Sequence, residues 1–294
     1  MHILDGKKVS EQILEEIKKE VTLLKQENKK IPHLAIILVG NNPASETYVG
    51  AKIKTCERVG FRASLIRLPD SIEESALLNK IDGINSNEDI DGLIVQSPFP
   101  KHISPEKVIE RISPGKDVDG FHPENLGRMA LNMPAFVPAT PFGVLQLIAR
   151  YKIPTAGKHC VVVGRSHLAG LPMSLLMMRN ARPGNCTVTV CHSRTADLKH
   201  YCMQADILIV ATGQTETITA DMVKEGAVVI DIGISRIPDA SKKSGYRLMG
   251  DVKFDEVAPK CSYITPVPGG VGPMTIASLL MNTLEGVRRK YKQV

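Results

Sequence analysis

Apolar residues recur at spacings of three and four from Val9 through Ile13, Ile17 and Val21 to Leu24, with charges between them. That spacing predicts an amphipathic helix over Val9 to Lys25. The continuous apolar run His33 to Val39 ends in Gly-Asn-Asn-Pro and reads as a buried strand followed by a loop. Ser45 is placed to cap a helix that runs to about Val59 and stops at Gly60. Phe61 to Leu68 reads as a strand, Ser71 to Ile81 as a helix and Gly92 to Gln96 as a third strand. A helix over Thr140 to Tyr151 and a loop over Lys152 to Gly157 lead into a second alternating series. Its strands are His159 to Val163, Thr187 to Cys191, Ile207 to Ala211 and Ala227 to Ile230, with a helix over Ala169 to Arg179 after the first. Pro273 suits the first turn of a last helix, whose stripe is Ile276, Leu279, Leu280, Leu284 and Val287. Alternation of this kind defines an α/β chain with parallel sheets, the second series having the pattern of a doubly wound nucleotide-binding domain. No internal repeat or low-complexity tract is visible.

The length of 294 residues suits about two domains. With 43 % hydrophobic and 23 % charged residues, the chain falls outside the disordered class. The net charge of +6 is spread along the chain and favours an anionic small ligand over a nucleic-acid duplex. Aromatic residues are only 4 % and Trp is absent, which argues against a stacking platform for single strands. The apolar runs are far shorter than a membrane span, and the start, Met1 to Ser10, lacks the apolar run of a signal peptide. Six cysteines lie at 56, 160, 186, 191, 202 and 261 without a C-x-x-C pair. They read as free thiols in a reducing cytosol, with no metal site and a cytoplasmic location.

Six segments can carry chemistry. Gly164-Arg165-Ser166, with Gly170 opening a helix, can cradle phosphate on backbone N–H groups, although its G-x5-G spacing also fits a plain strand–turn–helix. The next strand ends Cys191-His192-Ser193-Arg194 without the acid that selects NAD, so Ser193, Arg194 and Arg165 point to the 2′-phosphate of NADP. Tyr48 and Lys52 sit one turn apart at the edge of the stripe Val49, Ile53 and Cys56. A lysine there can be desolvated towards neutrality, or can simply cover apolar surface with its stem. Gln96 ends the third strand, where open α/β sheets bind ligands. Lys116 to Phe121 contains Asp117-x-Asp119, which fits a turn as well as a carboxylate facing a heterocycle. Thr265 to Thr275 is a rigid, glycine-rich entry to the last helix.

Together these segments resemble the bifunctional methylenetetrahydrofolate dehydrogenase/methenyltetrahydrofolate cyclohydrolase family, from Asp5-Gly6-Lys7 to the last helix. The most specific matches are Thr47-Tyr48-Val49 with Lys52, Lys116 to Phe121 (KDVDGF), Gly164-Arg165-Ser166, Cys191-His192-Ser193 and Thr265 to Thr275 (TPVPGGVGPMT). Ser97, Phe99, Ala139 and His167 depart from the family's usual text. The resemblance implies a folate-binding catalytic domain, residues 1–139 plus 273–294, and a Rossmann-like NADP-binding domain, residues 140–272, with the last helix returning to the first domain. It implies that Lys52 is the catalytic lysine, Tyr48 stacks on the folate, Gln96 tunes the lysine and Asp119 holds the pterin. Val95, Ser97 and Pro268, Gly269, Gly270, Val271 and Gly272 are implied to contact substrate. Gly164, Arg165, Ser166, Ser193 and Ile234 are implied to hold NADP.

The implied reactions oxidise 5,10-methylenetetrahydrofolate with NADP⁺ and hydrolyse the methenyl product to 10-formyltetrahydrofolate, supplying purine and amino-acid biosynthesis. A homodimer and a folate carrying a polyglutamate tail are implied as partners. The rival readings are another two-domain NAD(P) dehydrogenase of the shikimate or amino-acid type, and a catalytically silent folate- or nucleotide-binding protein.

Overall fold

A computed structural model describes residues 1–242 and 245–292. In chain order the elements begin with β1 (His2–Ile3), α1 (Gly6–Gln26), β2 (His33–Val39), α2 (Pro43–Val59), β3 (Arg62–Leu68), α3 (Glu74–Asn85) and β4 (Gly92–Gln96). Three helices follow: α4 (Pro105–Arg111), α5 (Pro123–Ala130) and α6 (Ala139–Arg150). The second series is β5 (His159–Val163), α7 (Gly170–Met178), β6 (Thr187–Cys191), α8 (Leu198–Cys202), β7 (Ile207–Val210) and β8 (Val228–Asp231). A hairpin of β9 (Ser235–Pro238) and β10 (Tyr246–Met249), then α9 (Phe254–Val257), β11 (Tyr263–Ile264) and α10 (Val271–Lys292), complete the chain.

The chain divides into two compact units. One holds Glu11–Arg128, Pro134–Ala139 and Ile276–Val294. Its parallel sheet has the order β3-β2-β4. The central strand β2 is buried at every position, which is why it reads as an unbroken apolar run. Of the predicted stripe of α1, Val9, Ile13, Ile17 and Val21 are buried and Leu24 is half-buried. Helix α2 starts two residues before the expected cap, because Asn42 Oδ1 accepts from the N–H groups of Ala44 and Ser45. Ser45 lies inside the first turn, its Oγ donating to the Ser97 carbonyl at 3.4 Å.

The other unit holds Met1–Ser10, Met129–Met133 and Thr140–Thr275. Its sheet is parallel throughout, in the order β1-β11-β8-β7-β5-β6. The chain passes from β5 outward to β6 and then back to β7 on the other side. The β5/β7 boundary is therefore a topological switch point, where such sheets bind ligands beyond their carboxyl ends. The expected boundaries shift here. Met1–Ser10 belongs to this unit because β1 pairs with β11, the Leu4 N–H donates to the Ile264 carbonyl, and the Lys7 N–H donates to the Gly269 carbonyl. Helix α10 begins at Val271, and it passes into the first-described unit from Ile276.

The two sheets share one device at the amino ends of their strands. The N–H of His33, the first residue of β2, donates to Asp91 Oδ2 at 3.0 Å, and its Nε2 meets Ser64 Oγ of β3 at 2.8 Å. The N–H of His159, the first residue of β5, donates to Asp206 Oδ2 at 3.0 Å, and its Nε2 meets Thr189 Oγ1 of β6 at 2.9 Å. The register is the same in both: the hydroxyl lies two residues beyond the histidine's strand partner, Arg62 or Thr187. No sequence periodicity announces this recurrence, because little beyond the His and Asp positions is shared.

Candidate active site

In the unit built on β2, the side chains of Tyr48, Lys52, Gln96 and Asp119 come together. Helix α2 follows β2, and its buried stripe is Val49, Lys52, Cys56 and Val59. Lys52 is thus not at the edge of the stripe but in it, only 4 % exposed. Its Nζ donates to Gln96 Oε1 at 3.0 Å and lies 4.9 Å from the centre of the Tyr48 ring. Burial lowers the Lys52 pKa, and the charge of Asp119 opposes that shift. Burial also raises the Asp119 carboxyl, and the Lys52 charge pulls it back. Asp119 is half-buried. Burial thus weakens the preference of both groups for their charged forms, the direction of shift that suits an amine for proton transfer.

The supporting residues are partly new. Gln96 Nε2 donates to the Ser97 carbonyl at 2.8 Å, which turns its Oε1 towards the lysine. Ser97 is exposed beyond β4, whereas the Val95 side chain is buried in the apolar cluster with Ala35, Ile37 and Leu77. The turn that carries Asp119 is held from three sides. Asp117 Oδ2 accepts from the His122 N–H at 2.8 Å and from Asn125 Nδ2 at 2.9 Å. Asn282 Nδ2, from α10, donates to the carbonyls of Val118 at 2.8 Å and Val137 at 2.9 Å. The Ala139 N–H donates to the Asp119 carbonyl. Sequence reading passed over Asn125 and Asn282, and the contacts of Asn282 span more than 140 residues, so no local signal could reveal them.

The second constellation lies in the other unit, at its switch point. A Cβ on Gly164 would sit 2.2 Å from the Ala211 carbonyl oxygen, and one on Gly170 would sit 2.1 Å from the Gly164 carbonyl oxygen. Only glycines let strand end, turn and helix start approach so closely, which brings the first turn of α7 over the end of β5. Arg165, Ser166 and Ser193 are exposed at this end of the sheet, as is Ile234 beyond β8. The first carboxylate after β6 is Asp197, which is engaged in capping α8 through the His200 N–H. This end of β6 thus offers hydroxyl and guanidinium groups ahead of any acid, a set that suits a phosphate. In the segment Pro268 to Gly272, Gly269 has φ 104°, Gly270 and Val271 are buried, and Pro268 and Gly272 are exposed. Among the described residues no cluster of His, Cys, Asp or Glu is arranged to hold a metal ion.

A parallel nucleotide-binding unit and a second unit presenting a buried lysine against an amide and a carboxyl define a two-domain, nucleotide-dependent enzyme. Comparison with known proteins makes this specific. Residues 4–119 match the tetrahydrofolate dehydrogenase/cyclohydrolase catalytic domain, and residues 138–291 match the NAD(P)-binding domain of the same family. The Bifunctional protein FolD of Cytophaga hutchinsonii is 64 % identical over 290 residues, covering 99 % of this chain and all of that one. That of Bacteroides fragilis is 60 % identical over 284 residues, 97 % of each chain. The structure is similar to the FolD methylenetetrahydrofolate dehydrogenase/cyclohydrolase of Campylobacter jejuni (TM-score 0.92, 45 % identity, 99 % of each chain). It is also similar to the Trypanosoma brucei dehydrogenase-cyclohydrolase complexed with NADP and an inhibitor (TM-score 0.93, 37 % identity, covering 99 % of this chain and 98 % of that one). The chain belongs to the tetrahydrofolate dehydrogenase/cyclohydrolase family.

Proposed function

We propose that Lys52, Gln96, Asp119 and Tyr48 form the folate site of a bifunctional 5,10-methylenetetrahydrofolate dehydrogenase and 5,10-methenyltetrahydrofolate cyclohydrolase. The family and the cofactor of its members support NADP as the oxidant. The observation that carries the assignment is a lysine 4 % exposed whose Nζ donates to a neutral amide oxygen.

Asp119, half-buried and acceptor-only when ionised, suits the amino and ring N–H groups of a pterin. Tyr48, its ring centre 4.9 Å from Lys52 Nζ, offers a flat face for the same heterocycle. Bound NADP⁺ accepts the hydride from the methylene carbon, so that step asks of the protein mainly alignment of the two carbons. Hydrolysis asks for proton handling. Water adds to the methenyl carbon, and Lys52 in its amine form takes the proton. The same ammonium then delivers a proton to N5 as the C–N5 bond breaks. The hydroxyl proton is lost to solvent as the formyl group forms on N10, so one proton is released overall. Gln96 holds the lysine through an oxygen that accepts from amine and ammonium alike, without fixing it in either state.

Gly164, Arg165, Ser166, Ser193 and Ile234 are assigned to the cofactor, and Ser97 and Pro268 to Gly272 to the substrate. A homodimer is supported by the edge strand β6, whose outer side is unpaired in the sheet, and by exposed apolar side chains of the same unit, including Val190, Met178, Tyr201 and Met203. Six buried free cysteines suit the reducing cytoplasm, and a basic surplus suits a polyglutamate tail. The test is a two-wavelength assay with 5,10-methylenetetrahydrofolate and NADP⁺ or NAD⁺. Reduction of NADP⁺ with little build-up of methenyl absorbance supports the assignment, and no reduction with either cofactor overturns it.

A further inference from the structure

The nucleotide-binding unit buries two carboxylates that the reactions above do not use. Asp231 ends β8 and is 3 % exposed, and Asp251, two residues beyond β10, has no accessible surface. Asp231 Oδ1 accepts from the N–H groups of Gly233 at 2.9 Å and Asp251 at 3.2 Å, and its Oδ2 accepts from Val252 at 2.9 Å. Asp251 Oδ2 accepts from Thr212 at 2.6 Å and Gly213 at 2.8 Å. Among the described residues no donor reaches the buried Asp251 Oδ1. The packing is reciprocal. A Cβ on Gly233 would sit 2.1 Å from the Asp251 carboxyl, and one on Gly250 would sit 2.0 Å from Asp231 Oδ2.

Among the described residues the charged groups beside the pair come from the segments on either side of it. The segment after β10 contributes Lys253, whose ammonium is paired with Glu256. The turn after β7 contributes Glu216, whose N–H donates to the Gly250 carbonyl. From the end of β11 the Thr265 hydroxyl approaches, accepting from the Asp231 N–H at 2.7 Å. Among the described residues no cation pairs with either carboxylate. Two ionised carboxylates buried together without a cation are costly, and such a pair relieves the cost by holding a proton.

The two turns tied to this pair are the ones at the carboxyl ends of the central strands. Thr212 and Gly213 follow Ala211 at the β5/β7 switch point, against Gly164. Gly233 precedes the exposed Ile234 beyond β8. We propose that Asp231 and Asp251 are positioning residues that hold the Thr212–Gly213 and Gly233–Ile234 turns in their cofactor-binding form only while the pair carries one proton. Loss of that proton would set two like charges against each other between the turns and weaken NADP(H) binding. This rests on the assignment of Ile234 and the switch point to the cofactor. In support, burial and the neighbouring Asp251 charge push the Asp231 carboxyl up to about 7, against the pull of its three N–H donors.

The two residues predict opposite consequences. Asp251→Asn keeps an oxygen for Thr212 and Gly213, and it places its NH2 where Oδ1 has no donor. It also removes the like charge, so Asp231 ionises at lower pH and the pair keeps a single negative charge up to high pH. Asp251→Ala leaves two backbone N–H groups without their acceptor. The experiment is titration of NADPH, followed by its own fluorescence, from pH 6 to 9; the absence of Trp removes the commonest interfering emission. For the unmodified protein the Kd should rise by up to about tenfold per pH unit above about 7, as for a single blocking ionisation. Asp251→Asn should hold its Kd level across that range. Asp251→Ala should bind weakly at every pH while hydrolysing the methenyl substrate normally. Superimposable profiles for Asp251→Asn and the unmodified protein, or a level profile for the latter, overturn the proposal and leave the cofactor assignment standing. No NADPH binding at any pH overturns both.

Discussion

Replacing Gln96 with Glu changes one atom of the amide and nearly nothing of its shape, yet it should separate the two activities. In the unmodified protein Lys52 Nζ lies 3.0 Å from a neutral oxygen, and burial lowers its pKa. A carboxylate at that distance interacts with the ammonium by about 5 kcal/mol at an effective dielectric of about 20. At about 1.4 kcal/mol per unit, this raises the lysine pKa by up to about 4 units. The gain is an upper bound, since the new second oxygen would face the Ser97 carbonyl that Gln96 Nε2 now donates to. The sign is unambiguous: the ammonium is stabilised, and Lys52 stays charged through neutral pH. A base locked in its acid form loses about 10²–10⁴ in rate. Hydride transfer, which needs no proton at Lys52, should continue. The assay is the two-wavelength one: NADPH should form while the methenyl absorbance accumulates, and the pH profile for hydrolysis of added methenyl substrate should move to higher pH. A hydrolysis rate within about threefold of the unmodified enzyme at neutral pH, with an unshifted profile, would refute the role given to Lys52.

Three further outcomes follow from the same geometry. Asn282→Leu leaves the Val118 and Val137 carbonyls without their donor, at about 1–3 kcal/mol each if they stay unpaired; thermal unfolding should occur several degrees lower and the folate KM should rise, with NADPH affinity unchanged, and an unaltered folate KM would sink its positioning role. Ser193→Ala and Arg165→Ala should each weaken NADP⁺ by about tenfold, near 1.4 kcal/mol, with little effect on NAD⁺; equal losses for both cofactors in a titration would place the 2′-phosphate elsewhere. Val190→Arg puts a charge on the exposed edge strand and should convert a dimer to monomers in sedimentation equilibrium, whereas an unchanged mass would remove β6 from the interface.

Much of this molecule can be read along the chain where the signal is local. Strands β2, β4 and β5 lie where the apolar runs place them, because buried parallel strands are near-continuous in apolar residues, whereas β6, also where expected, is an edge strand that alternates Thr and Val and is largely uncovered. The Tyr48/Lys52 spacing and the amide at the end of β4 converge because both ride on elements of one small sheet. What was missed depends on partners far away in sequence. Ser45 loses the capping role to Asn42, a competition between two good caps that composition does not settle. The short β1 is a strand only because β11 offers it an edge, and that moves Met1–Ser10 to the other unit. Lys52 reads as a residue at the margin of a helical stripe, but Gln96 and Asp119 draw its ammonium into the buried face.

The recurrence at the amino ends of the two sheets also decides a question of function. Asp89, His33 and Ser64 have the connectivity of a hydrolase triad: Nδ1 meets Asp89 Oδ2 at 3.0 Å and Nε2 meets Ser64 Oγ at 2.8 Å. Taken alone, that geometry would suggest a nucleophilic serine. In the other unit the same strand position, the same register and the same aspartate-bound N–H recur at His159. There a Thr189 hydroxyl replaces the serine and the Gln204 carbonyl, at 3.2 Å, replaces the carboxylate. A carbonyl orients a ring as well as a carboxylate does, but it cannot stabilise an imidazolium as a charge would. What the two sites share is therefore what they do: each imidazole ties the start of a central strand to an edge strand, while its backbone N–H reaches the aspartate ahead of the other neighbour. Both clasps close the end of the sheet opposite to the one where ligands bind in folds of this class. Gln96, at the carboxyl end of β4, and the Gly164 turn, at the carboxyl end of β5, lie at the opposite ends of the two sheets, where the folate and cofactor sites are proposed.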